Sequence, residues 1–258
     1  WSDALCIVQN DIQDWAEQSA AMSTIYSGAL LSISACSAIS NESGFLQLRE
    51  QHLILELQVP CPDHGKDCTL QFRRQSNVDI IQKHDGKKWP LDRRGWTLQE
   101  MLLPRRQIRI DVEQITWVCR SIVSLESYDR EAPFIGVARG ANDIFKALSF
   151  QSRANGTTTP SNPTTEAGER DRALRRWAVI VAEFSGRDLT YAADKLPALS
   201  GLASSFNNIL GDQYLAGLWQ SDLHRSLLWF RDTFHTGKLS RPSEYRAPSF
   251  TWASVDGY

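Results

Sequence analysis

No apolar run in the 258-residue sequence approaches the roughly 18 residues of a membrane-spanning helix, and no signal peptide is visible at its start. A basic excess is also missing. Lys and Arg number 28 against 30 Asp and Glu, for a net charge of −2, which argues against a non-specific nucleic-acid coat. The chain contains no G-x-G-x-x-G, Walker loop, H-E-x-x-H or G-x-S-x-G, so the commonest nucleotide, metalloprotease and serine-hydrolase signatures do not apply. Internal repeats are absent as well. The five cysteines (Cys6, Cys36, Cys61, Cys68, Cys119) are odd in number and widely spaced, unlike a disulfide framework. Without a leader, the sequons at Asn41 and Asn155 read as chance matches, and a reduced, cytoplasmic setting is expected. The first residue is Trp1 rather than Met, inside a segment that itself reads as a strand, so a piece of a longer polypeptide is expected.

Hydrophobic residues make up 42% and charged residues 22%, which excludes global disorder. The length fits one large domain or two small ones. Arg outnumbers Lys 21 to 7, a bias toward planar, paired guanidinium contacts. Residues 151–169 hold five Thr, two Pro and two Gly with almost no large apolar side chain. They are expected to form a flexible linker between residues 1–150 and a C-terminal part, 170–258.

Ser2–Val8 reads as a buried strand, followed by a helix to about Tyr26 that Asp14 caps with Glu17 in the capping-box position. Leu30–Ser34 reads as a second buried strand, and strand–helix–strand predicts a βαβ unit of a parallel sheet. Alternation at Leu53, Leu55, Leu57 and Val59, then Leu70 and Phe72, predicts a hairpin. Residues 96–103 read as a helix between Gly95 and Pro104. Ile108, Ile110, Ile115, Trp117 and Cys119 predict a second hairpin. Ala173, Leu174, Trp177, Ile180, Val181 and Phe184 form a helical stripe. Leu196–Leu210 follows as a helix capped by Asp194 and stopped by Gly211, then a shorter one over 221–230, and a strand over 248–255.

Three constellations could carry chemistry. Asp3, Cys6 and Gln9 leave the first strand where an α/β sheet opens its ligand crevice, with Glu17 on the helix beyond. Arg93, Arg94, Gly95, Trp96 and Glu100 form a compact block. It suits either an internal clamp or a site for an anion such as a phosphate. Cys61, His64 and Cys68 sit within eight residues, but no second Cys or His pair lies nearby to close a zinc site, so a polar hairpin tip is expected. The nine Trp read as core rather than as base-stacking platforms.

The segment WSDALCIVQNDIQDWAEQSAAMSTIYSGALLSISA resembles the central signature of the fungal heterokaryon-incompatibility (HET) domain, which reads W-I-D-x-L-C-I-x-Q followed by M-x-x-I-Y-x-x-A. PLDRRGWTLQEMLLPRR resembles that family's R-G-W-T-x-Q-E block, and ITWVC its following strand. LTYAADKLPALSGLA, YLAGLW and RAPSFTWASVDG resemble a C-terminal extension seen in such proteins. Ser2 replaces the usual apolar residue, and the family's early L-S-Y-x-W-G block is absent.

The resemblance implies an intracellular protein of non-self recognition and programmed cell death. It also implies remote kinship with TIR domains, and so an α/β fold with a TIR- or flavodoxin-like parallel core lacking its N-terminal strands. Inserted hairpins and a helical plus β C-terminal extension would complete that fold. Some TIR domains cleave NAD at the nicotinamide glycosidic bond with a helix glutamate after W-C-x-x-E. Trp15-Ala16-Glu17 follows the corresponding segment, which carries the catalytic role over to Glu17. Asp3, Cys6, Gln9, Arg94, Trp96 and Glu100 would then bind the ligand, with NAD as substrate and no resident cofactor or metal. Two other readings stay open. One is a non-enzymatic module that associates with itself or with another protein of the incompatibility pathway; the other is the same scaffold reused as a small-molecule enzyme. Neither nucleic acid nor a membrane span is expected.

Overall fold

The computed structural model describes residues 1–46, 55–60, 67–72, 88–119, 122–126, 163–230 and 240–256. Two helices open it, α1 (Asp3–Cys6) and α2 (Ile12–Gly28), followed by strand β1 (Ser32–Ala35). A hairpin of β2 (Leu55–Pro60) and β3 (Asp67–Phe72) comes next, as the alternation predicts, pairing Leu57 with Leu70. Short helices α3 (Pro90–Arg93) and α4 (Thr97–Leu102) lead into β4 (Arg106–Ile110), β5 (Ile115–Cys119) and β6 (Val123–Leu125). Helices α5 (Pro163–Ser185) and α6 (Pro197–Leu210) follow, then a small β7–β8 ribbon (Tyr214–Leu215, Leu218–Trp219) and α7 (Leu223–Ser226). The principal sheet has strand order β1-β4-β5-β6, with β1 parallel to β4 and the remaining pairs antiparallel. The molecule is therefore a mixed α/β structure with a mixed sheet.

Several sequence expectations are corrected. Ser2–Val8 is not a buried strand: its centre is the single helical turn α1, and only Ile7 in it is buried. With no strand there, the expected βαβ unit is absent among the described residues, and the parallel neighbour of β1 is the distant β4. Helix α2 is capped by Asp11, whose carboxylate accepts from the amides of Gln13 and Asp14; Asp14 instead accepts from the Val8 amide at 2.7 Å. Asp11 wins because it sits directly before the first helical residue, where a side-chain oxygen reaches the free amides of the first turn. Residues 151–162 of the expected linker lie outside the described residues, whereas 163–169 form the first turns of α5. The helix expected over 221–230 is the four-residue α7 preceded by a 3-10 turn. Residues 248–255 form no strand: Thr251 to Val255 are all buried around a 3-10 turn at Trp252–Ser254, which removes the alternation a strand needs.

The two parts of the sequence share one core. Leu98, Met101, Leu102, Val118, Val123 and Leu125 pack with Trp177, Ile180, Phe184, Leu199, Leu202 and Phe206. Gly211 ends α6 at φ 55°, a left-handed conformation that glycine adopts without steric cost.

Strand β4 reverses the expected side-chain logic. Its isoleucines, Ile108 and Ile110, are only half-buried, while Gln107 and Arg109 point into the interior. The cause is Asp92 on α3, which meets Arg109 at 2.5 Å with both side chains only 2% exposed. Burial pushes the Asp92 carboxyl up against the pull of that guanidinium. Removing one partner strands the other charge in a water-free site. Asp92→Ala is expected to destabilise the chain by about 3–5 kcal/mol in urea denaturation, and the apolar double variant Asp92→Leu/Arg109→Met to recover most of the loss.

Candidate functional site

Two of the sequence blocks that resemble a single family meet in space along one side of α2. Met22 and Tyr26 lie roughly 20° to either side of Trp15 around that helix, because seven or eleven steps of about 100° nearly close whole turns. Each of the three touches a different neighbour. Trp15 packs edge-on against Trp96, with centroids 6.0 Å apart. Met22 Sδ accepts from Gln99 Nε2 at 3.7 Å. Tyr26 donates its hydroxyl to Glu100 and packs edge-on against Trp1 at 5.6 Å. Trp96, Gln99 and Glu100 all belong to the segment that starts α4, so two helices are riveted along one seam.

Gly201 on α6 explains why the seam is tight. A Cβ there would come within 2.5 Å of the Ser23 Cβ and 2.8 Å of the Gln99 side-chain oxygen. Below that seam the turn before α4 is fixed by polar contacts. Arg187 donates to the Arg94 carbonyl and to Thr97 Oγ1, both at 3.2 Å, and pairs with Glu183. The Trp96 indole donates to Asp194 at 2.9 Å, which gives Asp194 a different task from the helix cap expected of it.

Glu100 is the electrostatic centre of the cluster. Burial and then the negative charge of Asp3 push its carboxyl up to about 7, against the opposing pull of the Tyr26 hydroxyl, Arg94 and Arg187. Burial and the Glu100 carboxylate push the Tyr26 hydroxyl up in turn. Two carboxylates, a phenol and a guanidinium therefore share one half-buried patch roofed by indoles. Such a patch can hold and release a proton near neutrality, and it can receive a polyhydroxylated or phosphorylated ligand.

The residues singled out in the sequence divide into two groups. Asp3, Arg94, Trp96 and Glu100 come together. Gln9 adjoins them by donating to the Asp3 carbonyl at 3.2 Å. Cys6 is exposed on α1, and Arg93 turns away to pair with Asp188 at 3.0 Å. Glu17 lies on the solvent face of α2, roughly half a turn from Tyr26, and accepts from Gln13 at 3.2 Å. Residues 61–66 fall outside the described residues, and no group of three metal-ligating side chains occurs among the described ones. Tyr26, Trp1 and Arg187 escaped the sequence reading of the site. Tyr26 was visible as part of the I-Y signature, whereas only the fold brings in Arg187.

Fold and cluster together define an α/β protein with a carboxylate–phenol site assembled from its first hundred residues. Residues 1–100 match the family model described as heterokaryon incompatibility protein (HET). No curated protein and no solved structure matches the chain. No helix among the described residues is long and apolar enough to cross a membrane.

The raised carboxyl has a consequence for stability. Folded Glu100 keeps its proton up to about pH 7, whereas the unfolded side chain loses it near 4.5. The native state thus binds more protons between those values, and stability falls as pH rises through that window. The thermal midpoint of Glu100→Gln is expected to decline less between pH 5 and 8 than that of the parent. Tyr26→Phe, which removes a donor to the ionised form, should move the Glu100 titration to higher pH in carboxyl-resolved NMR.

Proposed function

We propose that the protein acts in fungal heterokaryon incompatibility, as a cell-death effector that hydrolyses the glycosidic bond between nicotinamide and ribose in NAD. The observation that carries this reading is the convergence of Asp3, Tyr26, Arg94 and Glu100 from separate blocks of the matched segment. In this reading the core descends from a TIR-like sheet, and the protein works in the cytoplasm.

Ionised Glu100 accepts hydrogen bonds from the ribose hydroxyls and stabilises the positive charge that develops at C1′ as the C–N bond breaks. Nicotinamide leaves with the bonding electron pair, which neutralises its ring. Water adds to C1′ and gives up a proton. Arg94, an exposed guanidinium with no side-chain hydrogen bond to a described residue, meets the pyrophosphate. Trp96 and Trp15 offer ring edges to the bases. The phenol of Tyr26 and the carbonyl-bound Gln9 hold Glu100 and Asp3 in place as positioning residues. Glu17, on the opposite face of α2 from Tyr26, is too far around the helix to share that work, so the catalytic role passes to Glu100.

The test is nicotinamide release from NAD by the purified chain. Glu100→Gln should lower kcat at least about 100-fold. Arg94→Ala should raise KM with a smaller effect on kcat, and Glu17→Gln should leave turnover near the parent value. The parent rate should rise with pH through about 7 as Glu100 ionises. Turnover that persists in Glu100→Gln and disappears in Glu17→Gln would return the role to Glu17.

A second reading, a self-associating signalling module, is favoured by one specific observation. Exposed large apolar residues crowd the first 46 positions, with Leu5, Ile12, Leu30, Ile33 and Ile39 among them. Strand β1 is a sheet edge among the described residues, and no charge or proline occurs from Ala29 to Asn41 to blunt it. Sedimentation velocity is expected to show concentration-dependent assembly that Ile33→Lys abolishes. A parent chain that stays monomeric throughout rules this module out.

A further inference from the structure

A cavity of about 520 Å³ lies away from the Glu100 cluster, between α5 and the C-terminal segments. Its wall is built from the indoles of Trp177, Trp219, Trp229 and Trp252. The α5 side is low because Ala178 and Ala182, one turn apart, present only methyl groups. The size falls in the range of small-molecule sites, and so does the balance of a mainly apolar lining with few polar groups.

The charged groups on the wall are paired, whereas the buried Trp219 N–H has no hydrogen-bond partner among the described residues. Lys195 donates to the Val255 carbonyl and pairs with Asp256 at 3.2 Å. Arg225 pairs with Asp171 at 2.6 Å, and its guanidinium lies 3.8 Å from Asp222. Three of the four indole N–H groups are also spent on main-chain carbonyls. Trp177 and Trp252 both donate to Gly217, and Trp229 donates to Phe250. The wall therefore offers aromatic and aliphatic surface with each charge compensated, and an ionic ligand would find no free counter-charge there.

The mouth is apolar as well. Leu228 and Phe230 stand 75% and 88% exposed at the rim. Side chains of this size gain nothing from water, and here they extend the apolar wall outward toward an entering molecule.

We infer that this cavity is a binding site for an uncharged, planar aromatic molecule of roughly two or three fused or linked rings. Flat rings stack on, or meet edge-on, the indole surfaces, and an uncharged ligand leaves the ion pairs of Lys195 and Arg225 intact. The site is independent of the NAD reading, since none of its residues belongs to the Glu100 cluster.

The experiment is a fluorescence titration of the full chain with N-phenyl-1-naphthylamine, an uncharged aromatic probe that brightens in apolar surroundings and accepts energy from excited tryptophan. Saturable binding of one probe per chain is expected, with energy transfer from the indoles. Ala182→Trp fills the cavity and should weaken binding at least tenfold while circular dichroism stays unchanged. Should that variant fail to fold, Phe230→Ser alters only an exposed rim residue and should still weaken binding several-fold. Probe fluorescence that does not saturate overturns the inference. So does saturable binding that is unaffected in a folded Ala182→Trp variant or, where that variant does not fold, in Phe230→Ser.

Discussion

The Asp92–Arg109 pair is the constraint around which the rest of the structure is arranged. An ion pair this deeply buried survives only with close geometry and further hydrogen bonds around it. It fixes α3 on the inner face of β4, and with α3 it fixes the turn that starts α4. Arg187, reaching in from the end of α5, completes the same polar layer through the Arg94 carbonyl and Thr97. The Thr97 hydroxyl in turn lies 2.6 Å from the Leu91 carbonyl. Sheet, turn and C-terminal helix are thereby locked together through charge rather than through apolar contact alone. Cys36 lies beside this layer, and burial pushes its thiol up to about 12, so it fills space there as an unreactive side chain.

Once the turn at Arg94–Thr97 is fixed, the Glu100 environment follows from helix geometry. Gln99 and Glu100 are neighbours on α4, yet they reach Met22 and Tyr26, which stand one turn apart on α2. The helices approach closely enough for both contacts because Gly201 has no side chain between them. A half-buried carboxyl beside Asp3 must rise, and the Tyr26 hydroxyl and Arg94 only moderate that rise. A chain of steric and electrostatic necessity thus leads from a buried pair to a group that titrates at physiological pH.

The sequence was legible where one physical signal dominated. The Ala173–Phe184 stripe, the β2–β3 and β4–β5 pairs, and the Gly211 stop each follow from periodicity or backbone freedom. It was least legible where burial depends on distant partners. Ser2–Val8 is apolar enough for an interior strand, but nothing among the described residues pairs with it, and it winds into a single exposed turn. The alternation on β4 predicts the hairpin, and only the position of Asp92 explains why Arg109 takes the inner face. At the site, Arg94, Trp96 and Glu100 were readable because they share one short block. Tyr26 needed the helix phase, and Arg187 needed the tertiary fold. Glu17, carried over by resemblance, stands apart from that cluster. It follows Trp15 at a shorter spacing than W-C-x-x-E has, and nine positions separate it from Tyr26, which is half a turn on a helix.

One element connects the cluster with the aromatic cavity. The 3-10 turn Ala192–Lys195 places Asp194 against the Trp96 indole and Lys195 against the Val255 carbonyl and the Trp252 ring. Asp194 and Lys195 are thus adjacent residues that face two different places, the Trp96 indole and the Trp252 ring. The turn is short and buried at both of its charged residues, so each is held by its own partner rather than by water.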